Sequence, residues 1–252
     1  PIVAGMAKNC TGAVTFFAVD SQLPIMAAHR VKGHRVVFVE DGDLVAVEGK
    51  LIQRIPLTDI PITRNGTIGF QVENVMASVA AAWDINLSWD AIRQGLKTFM
   101  NDSDNAPGRF NVFSYRGATL IADYGHNPDA ISALVQAVDS MPGNRRTVVI
   151  SGAGDRRDQD IRQQTEILGN AFDQVILYQD QCQRGRADGE VVALLRSGLQ
   201  NAKRTTEVKE INGEFIAIDT ALASLKEGDL CLILIDQVEE SLLHIAKRIA
   251  EA

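Results

Sequence analysis

Between residues 118 and 235, short apolar runs recur at 118–122, 147–151, 174–178 and 230–235. Segments with apolar residues at helical spacing separate or follow them, at 128–140, 159–172, 190–199, 214–225 and 239–249. A weaker strand candidate covers 205–211. Strands buried on both faces read as continuous apolar runs, and helices between them supply the crossovers of a parallel sheet. This alternation is the strongest constraint on the chain. It predicts an α/β fold with a Rossmann-like, mostly parallel sheet and right-handed connections.

The first hundred residues read differently. A strand is expected at 13–19, a short helix at 23–31, and a hairpin from 35–39 through Glu40-Asp41-Gly42-Asp43 to 44–47, continued at 51–55. Val72, Val75, Met76, Val79, Ala80 and Trp83 then recur at helical spacing across 69–85. Ser88-Trp89-Asp90 caps a second helix, whose Ile92, Leu96 and Phe99 form one face, so the two make an αα-hairpin. The polar loop 100–108, Met-Asn-Asp-Ser-Asp-Asn-Ala-Pro-Gly, carries the best linker signal and is the expected hinge. Domains are expected at 1–105 and 106–252. Arg109 follows at once and opens a strand, Arg109-Phe110-Asn111-Val112-Phe113.

A net charge of −7 over 252 residues argues against non-specific nucleic-acid binding, and no apolar run reaches the length of a membrane span. Cys10, Cys182 and Cys231 show neither metal nor disulfide spacing, which predicts a reducing cytoplasm. Cys231 is expected in the core, and Cys182 at its edge in a polar loop. The opening Pro1-Ile2-Val3-Ala4-Gly5-Met6-Ala7 reads as the inside of a structural element, so the sequence is expected to be part of a longer protein.

Chemistry concentrates where the strands end. Asp123-Tyr124-Gly125-His126-Asn127-Pro128 lies between an apolar strand and a helix, with Asn127 and Pro128 suited to open that helix. The next strand ends in Gly152-Ala153-Gly154-Asp155-Arg156-Arg157-Asp158. The third leads to Asp180, Arg184 and Arg186, and Asp236 joins from the last. Ligands of open α/β sheets gather at this edge. Arginines there suit phosphate or carboxylate; aspartates suit an amine, a guanidinium, a ribose hydroxyl or Mg²⁺. Solvated surface ion pairs are the plainer reading of the same residues. Gly152-Ala153-Gly154 is too incomplete to predict NAD binding, no G-x-x-x-x-G-K-[ST] phosphate loop occurs, and no Gly-x-Ser-x-Gly elbow supports a hydrolase.

Asp123-Tyr124-Gly125-His126-Asn127-Pro128, preceded by Pro107-Gly108-Arg109-Phe110, resembles the start of the C-terminal domain of the Mur ligases and folylpolyglutamate synthetase. The helix from Gly69 to Ser78 is similar to the end of the central ATPase domain of that superfamily. Gly154-Asp155-Arg156-Arg157-Asp158 and Arg184-Gly185-Arg186 with Gly189-Glu190 resemble its cyanophycin synthetase branch. The resemblance implies an ATP-dependent amide ligase working through an acyl phosphate with Mg²⁺. In that branch, arginine is joined to the side-chain carboxylate of a polyaspartate. Matched residue by residue, Asn74, Arg109, Asp123, His126 and Asn127 fall at the nucleotide. Asp155, Arg156, Arg157, Arg184 and Arg186 fall where the acceptor amino acid binds. The phosphate loop and Mg²⁺ ligands should precede Pro1, so no catalytic or metal-binding residue is assigned here and the chain alone should not turn over ATP. The alternative is a stand-alone, non-catalytic module binding a nucleotide or amino acid. Self-association as a homo-oligomer is compatible with either.

Overall fold

The structure, a computed structural model, describes residues 2–181 and 183–252, with the Ile2 side chain left aside; the expectations for Pro1 and Cys182 lie outside the described residues. The chain divides into two compact units, 1–100 and 101–252.

The first unit opens with a short helix, α1 (Ile2–Gly5), and continues with β1 (Phe16–Asp20), α2 (Pro24–Val31), β2 (Val36–Glu40), β3 (Asp43–Glu48) and β4 (Leu51–Pro56). These strands form one sheet in chain order, with β1 and β2 parallel and the rest antiparallel. Asp41 and Gly42 both take positive φ, 53° and 80°, the geometry of a tight hairpin that matches strand twist. Helix α3 (Gly69–Asp84) lays Val72, Val75, Met76, Val79, Ala80 and Trp83 over Val37, Leu44, Ala46 and Ile55, the face read from its spacing. Ser88 caps α4 (Trp89–Thr98), its Oγ accepting the Ala91 N–H at 3.2 Å. Ile92 is buried and Leu96 packs beside it. Phe99 does not join that face: it is extended (φ −70°, ψ 118°) and 42% exposed, because the helix has already ended.

The second unit runs β5 (Asn111–Tyr115), β6 (Ala118–Asp123), α5 (Pro128–Asp139), β7 (Arg146–Ile150), α6 (Asp158–Leu168), β8 (Gln174–Gln179), α7 (Glu190–Gly198), β9 (Glu207–Asn212), α8 (Glu214–Ser224), β10 (Leu230–Leu234) and α9 (Val238–Ala250). The strand order is β5-β6-β10-β7-β8-β9, parallel except for β5. All five residues of β10 are buried, as its central place requires. Leu120, Ala122, Val149, Ile176, Cys231 and Ile233 lie under α8 and α9. Their alternates, Ile121, Val148, Ile150, Val175, Leu177 and Leu232, are buried on the opposite face. The edge strand β9 alternates between half-buried and exposed residues, and its charges Glu207, Lys209 and Glu210 discourage pairing with another edge.

Two expected boundaries shift for physical reasons. The strand predicted from Arg109 starts at Asn111, because Phe110 takes φ 55°, outside the extended region. The helix predicted to Phe172 ends at Leu168, because the Gly169 carbonyl accepts the N–H groups of Arg204 and Thr205.

Candidate binding rim at the carboxyl ends of the strands

From β6 the chain passes through α5 to β7 and skips one position, which β10 later fills. The connections beside β10 therefore leave toward opposite faces, α6 on one and α9 on the other. Such a switch point opens a crevice at the carboxyl ends of the strands. Asp236 follows β10 at that crevice, and the loops after β6, β7 and β8 surround it.

The loop after β6 is tied to the segment before β5. The buried carboxylate of Asp123 accepts the Phe110 N–H at 2.8 Å, and the Tyr124 N–H donates to the Gly108 carbonyl at 2.9 Å. Asn111 Oδ1 accepts the Gly108 N–H, and Asn101 Nδ2 donates to the Arg109 carbonyl. Gly108 has φ 67°, and a Cβ there would lie 2.9 Å from Val238 Cγ1, so a larger residue would be strained on both counts. Asp123 thereby fixes the turn that presents Arg109, whose guanidinium lies 5.8 Å from the Tyr124 ring centre. Burial raises the Asp123 pKa to about 6, against the opposing pull of the Phe110 and Gly125 N–H groups and the Arg109 charge.

Asn127 is engaged locally: its Oδ1 accepts the Ala130 N–H at 2.9 Å and caps α5. His126 is buried, with Nδ1 2.9 Å from the Tyr124 carbonyl. A carbonyl only accepts, so Nδ1 carries the hydrogen and Nε2 keeps its lone pair. Nε2 lies 3.6 Å from Asp236 Oδ1 and has no hydrogen-bond partner among the described residues. Burial lowers the His126 pKa; the Arg184 and Arg156 charges add to this, while the Tyr124 bond and Glu214 oppose it.

Arg184, from the loop after β8, spans the crevice. Its Nη1 is 3.4 Å from Asp155 and its Nη2 is 3.3 Å from Asp236. It holds φ 49°, an uncommon conformation for a side-chain-bearing residue. The loops after β7 and β8 meet closely: a Cβ on Gly154 would lie 2.1 Å from the Gln183 carbonyl oxygen. Arg186 seals the contact by donating to the carbonyls of Gly154 and Arg156, each at 2.7 Å, and by pairing with Asp158 and Glu190. The glycines that resemble a nucleotide fingerprint thus serve loop-on-loop and helix-on-strand packing here, since a Cβ on Gly152 would meet Val191 at 2.8 Å.

His126, Asp155, Arg184 and Asp236 are therefore brought together, with Asp180 beside them through a side-chain hydrogen bond to Asp236. Asp236 is pushed up from the ordinary carboxylate range by burial first and by Asp180 second. Arg157 stands apart, its guanidinium held by Asp160 at 2.8 and 2.9 Å. Asn74 belongs to the first unit, where it is exposed and donates to Gln71 at 3.2 Å. Arg109 and Arg156 are exposed and ion-paired to no carboxylate among the described residues. A pocket of about 530 Å³ adjoins the crevice, lined in part by Asp180, Asp188, Asn212, Glu214, Phe215 and Gln237. The pocket escaped sequence reasoning, because Asn212 and Glu214 lie after a weakly apolar strand with no motif around it. Among the described residues no group of three or more His, Cys, Asp or Glu is arranged to hold a metal ion.

Residues 108–234 match the family model described as Mur ligase, glutamate ligase domain. The cyanophycin synthetase of Geminocystis herdmanii is 32% identical over 248 residues, covering 98% of this chain and 28% of that protein. The UDP-N-acetylmuramoyl-L-alanyl-D-glutamate–2,6-diaminopimelate ligase of Alkaliphilus metalliredigens is 30% identical, covering 92% of this chain and 43% of that protein. Among solved structures, E. coli FolC in complex with ADP superposes with a TM-score of 0.61 at 22% identity, covering 90% of this chain and 51% of that one. The bifunctional folylpolyglutamate synthase/dihydrofolate synthase from Yersinia pestis, complexed with AMPPNP and a Mn ion, gives 0.57 at 19%, with 95% and 53% covered. These structures share the fold. The chain spans well under half the length of the cyanophycin synthetases it matches.

Proposed function

The chain belongs to the Mur ligase family through its glutamate ligase domain, and from that premise we propose that it is part of an ATP-dependent amide ligase. In this reading ATP converts a carboxylate to an acyl phosphate and an amine displaces the phosphate. The observation that carries it is the rim after β6, β7, β8 and β10, where one guanidinium links two carboxylates beside a buried imidazole. Exposed Arg109 and Arg156 suit the phosphoryl group or the carboxylate of an amino acid. The carboxylates of Asp180 and Asp188 in the adjoining pocket suit a cationic side chain, which supports arginine as the amino acid; a polyaspartate carboxylate as its acceptor rests on the family reading alone.

Asn74, Arg109, Asp123, His126 and Asn127 are proposed to serve the nucleotide, with Asp123, His126 and Asn127 acting by fixing the backbone of the loop after β6. Asp155, Arg156 and Arg184 are proposed to contact the amino acid, and Arg157 and Arg186 to shape its loop. Residues 1–105 are proposed as the end of a central ATPase domain and 106–252 as the C-terminal domain, hinged at 100–108. Mg²⁺ and the phosphate loop would come from elsewhere in the protein. The test is phosphate release in the cytoplasmic full-length protein. Release dependent on both arginine and an aspartate peptide is expected, with none from this chain alone; robust arginine-dependent release by the chain alone would refute the division of labour. A second reading is a non-catalytic module that uses the same rim, where Arg184 bridges Asp155 and Asp236, to hold an amino acid or nucleotide. It predicts ligand binding without turnover in the full-length protein as well.

A further inference from the structure

Ligation needs an uncharged amine, yet an amino acid arrives at neutral pH as an ammonium ion. Some group must take that proton, and it must lie where the amine meets the acyl phosphate. Asp236 stands at the switch point with 15% of its side chain exposed. His126, with 7% of its side chain exposed, aims an Nε2 that has no hydrogen-bond partner among the described residues at it from 3.6 Å. Asp180 is hydrogen-bonded to Asp236 and lines the adjoining pocket, whose volume of about 530 Å³ exceeds that of an amino-acid side chain.

Resting on the ligase reading above, we propose that Asp236, backed by the Nε2 lone pair of His126 and sharing a proton with Asp180, takes the proton of the incoming amine. In this step an N–H bond of the ammonium breaks and its proton passes to the Asp236 carboxylate. The freed lone pair forms the C–N bond with the acyl carbon of the acyl phosphate. The bond from that carbon to the bridging oxygen breaks, and inorganic phosphate leaves with the second amine proton. No oxidant or further reactant enters.

The charged and titratable groups facing Asp236 and His126 are Asp155, Asp180, Glu214, Arg156, Arg184, Tyr124 and Tyr178. Burial first, then Asp180 and Glu214, raise the Asp236 pKa, and Arg184 limits that effect. Burial first, and the Arg184 and Arg156 charges after it, disfavour the charged form of His126 against the Tyr124 bond and Glu214, so its lone pair remains available to accept the proton in turn. The Glu214 carboxylate is itself committed, accepting the N–H groups of Asp236 and Gln237 and the Ser241 hydroxyl at 2.9, 3.1 and 2.6 Å. It therefore fixes the turn that carries Asp236 rather than competing for the amine.

The experiment uses the full-length protein with two acceptors, L-arginine and hydroxylamine, the latter largely unprotonated at neutral pH. Asp236→Asn is expected to lower kcat with arginine by about 10²–10⁴-fold. It should leave hydroxamate formation and the KM for ATP near wild type, and Asp236→Glu should recover part of the loss. Wild-type kcat with arginine should show an acid limb above the ordinary carboxylate range, and Asp180→Asn should move that limb to lower pH. Undiminished arginine ligation by Asp236→Asn overturns the proposal. So does equal loss with both acceptors, or a limb that Asp180→Asn leaves in place, which keeps the test decisive if Asp236→Asn does not fold. A wild-type protein that forms no hydroxamate refutes the ligase reading itself, and the proposal falls with it.

Discussion

Gly154→Ala is the sharpest probe of how the rim is held. The added Cβ would sit 2.1 Å from the Gln183 carbonyl oxygen and 3.1 Å from its carbonyl carbon. Relief requires the two loops to part by about 1 Å, and the obstacle is backbone, which cannot rotate away as a side chain can. That motion stretches the Arg186 bonds to the Gly154 and Arg156 carbonyls beyond hydrogen-bond reach, since both begin at 2.7 Å. It also opens the Arg184 pairs, already at 3.3 and 3.4 Å. Overpacking costs about 1–3 kcal/mol, and weakening partly exposed charged hydrogen bonds adds about 1 more, for a loss of about 3 kcal/mol. Spectroscopy separates the units, because Tyr115, Tyr124 and Tyr178 all lie in the second and Trp83 and Trp89 in the first. Urea unfolding followed by tyrosine emission should therefore show the loss. Gly152→Ala, whose Cβ meets the ends of the Val191 and Ile161 side chains, should cost about 1 kcal/mol. Equal, small effects at both glycines would refute the claim that close approach of the two loops holds the rim.

Asp123→Asn tests burial of the carboxyl. Its folded pKa of about 6 lies above the ordinary 3.8, so the protonated form favours the folded state at low pH and that contribution is lost as pH rises through about 6. The stability difference between variant and wild type should shift toward the variant by up to about 3 kcal/mol across that window, whatever its absolute value, and a flat difference in urea titrations would contradict it. Arg109→Ala should weaken nucleotide affinity in the full-length protein, measured by calorimetry, with the unfolding midpoint unchanged. Asn127→Ala should remove the α5 cap at a cost of about 1 kcal/mol in the same unfolding assay. Cys231, buried and pushed up to about 12, should resist thiol reagents that modify exposed Cys10, as mass spectrometry of the native protein would show.

Much of the second unit was legible because its strands are buried on both faces and announce themselves as apolar runs, and because Asn127-Pro128 marks a helix start. The α3 face was legible for the same reason: Val72 to Trp83 keep one helical phase. The order of the strands was not, since nothing in residues 230–235 says that this run inserts between β6 and β7. The motif positions at the rim were visible, but their engagements were not. Arg186 and Arg184 look alike in sequence, yet one seals two loops through backbone carbonyls and the other bridges two carboxylates. The left-handed conformation of Phe110 was equally hidden, because it depends on Asp123 accepting its N–H from thirteen residues away.

Calorimetric titration of this chain with L-arginine, and of its Arg184→Ala variant, tests the rim as a receiver of an amino acid most directly. The account predicts saturable heat for the wild type and its loss when Arg184 is removed. Identical heats for both proteins, or none for either, would contradict it.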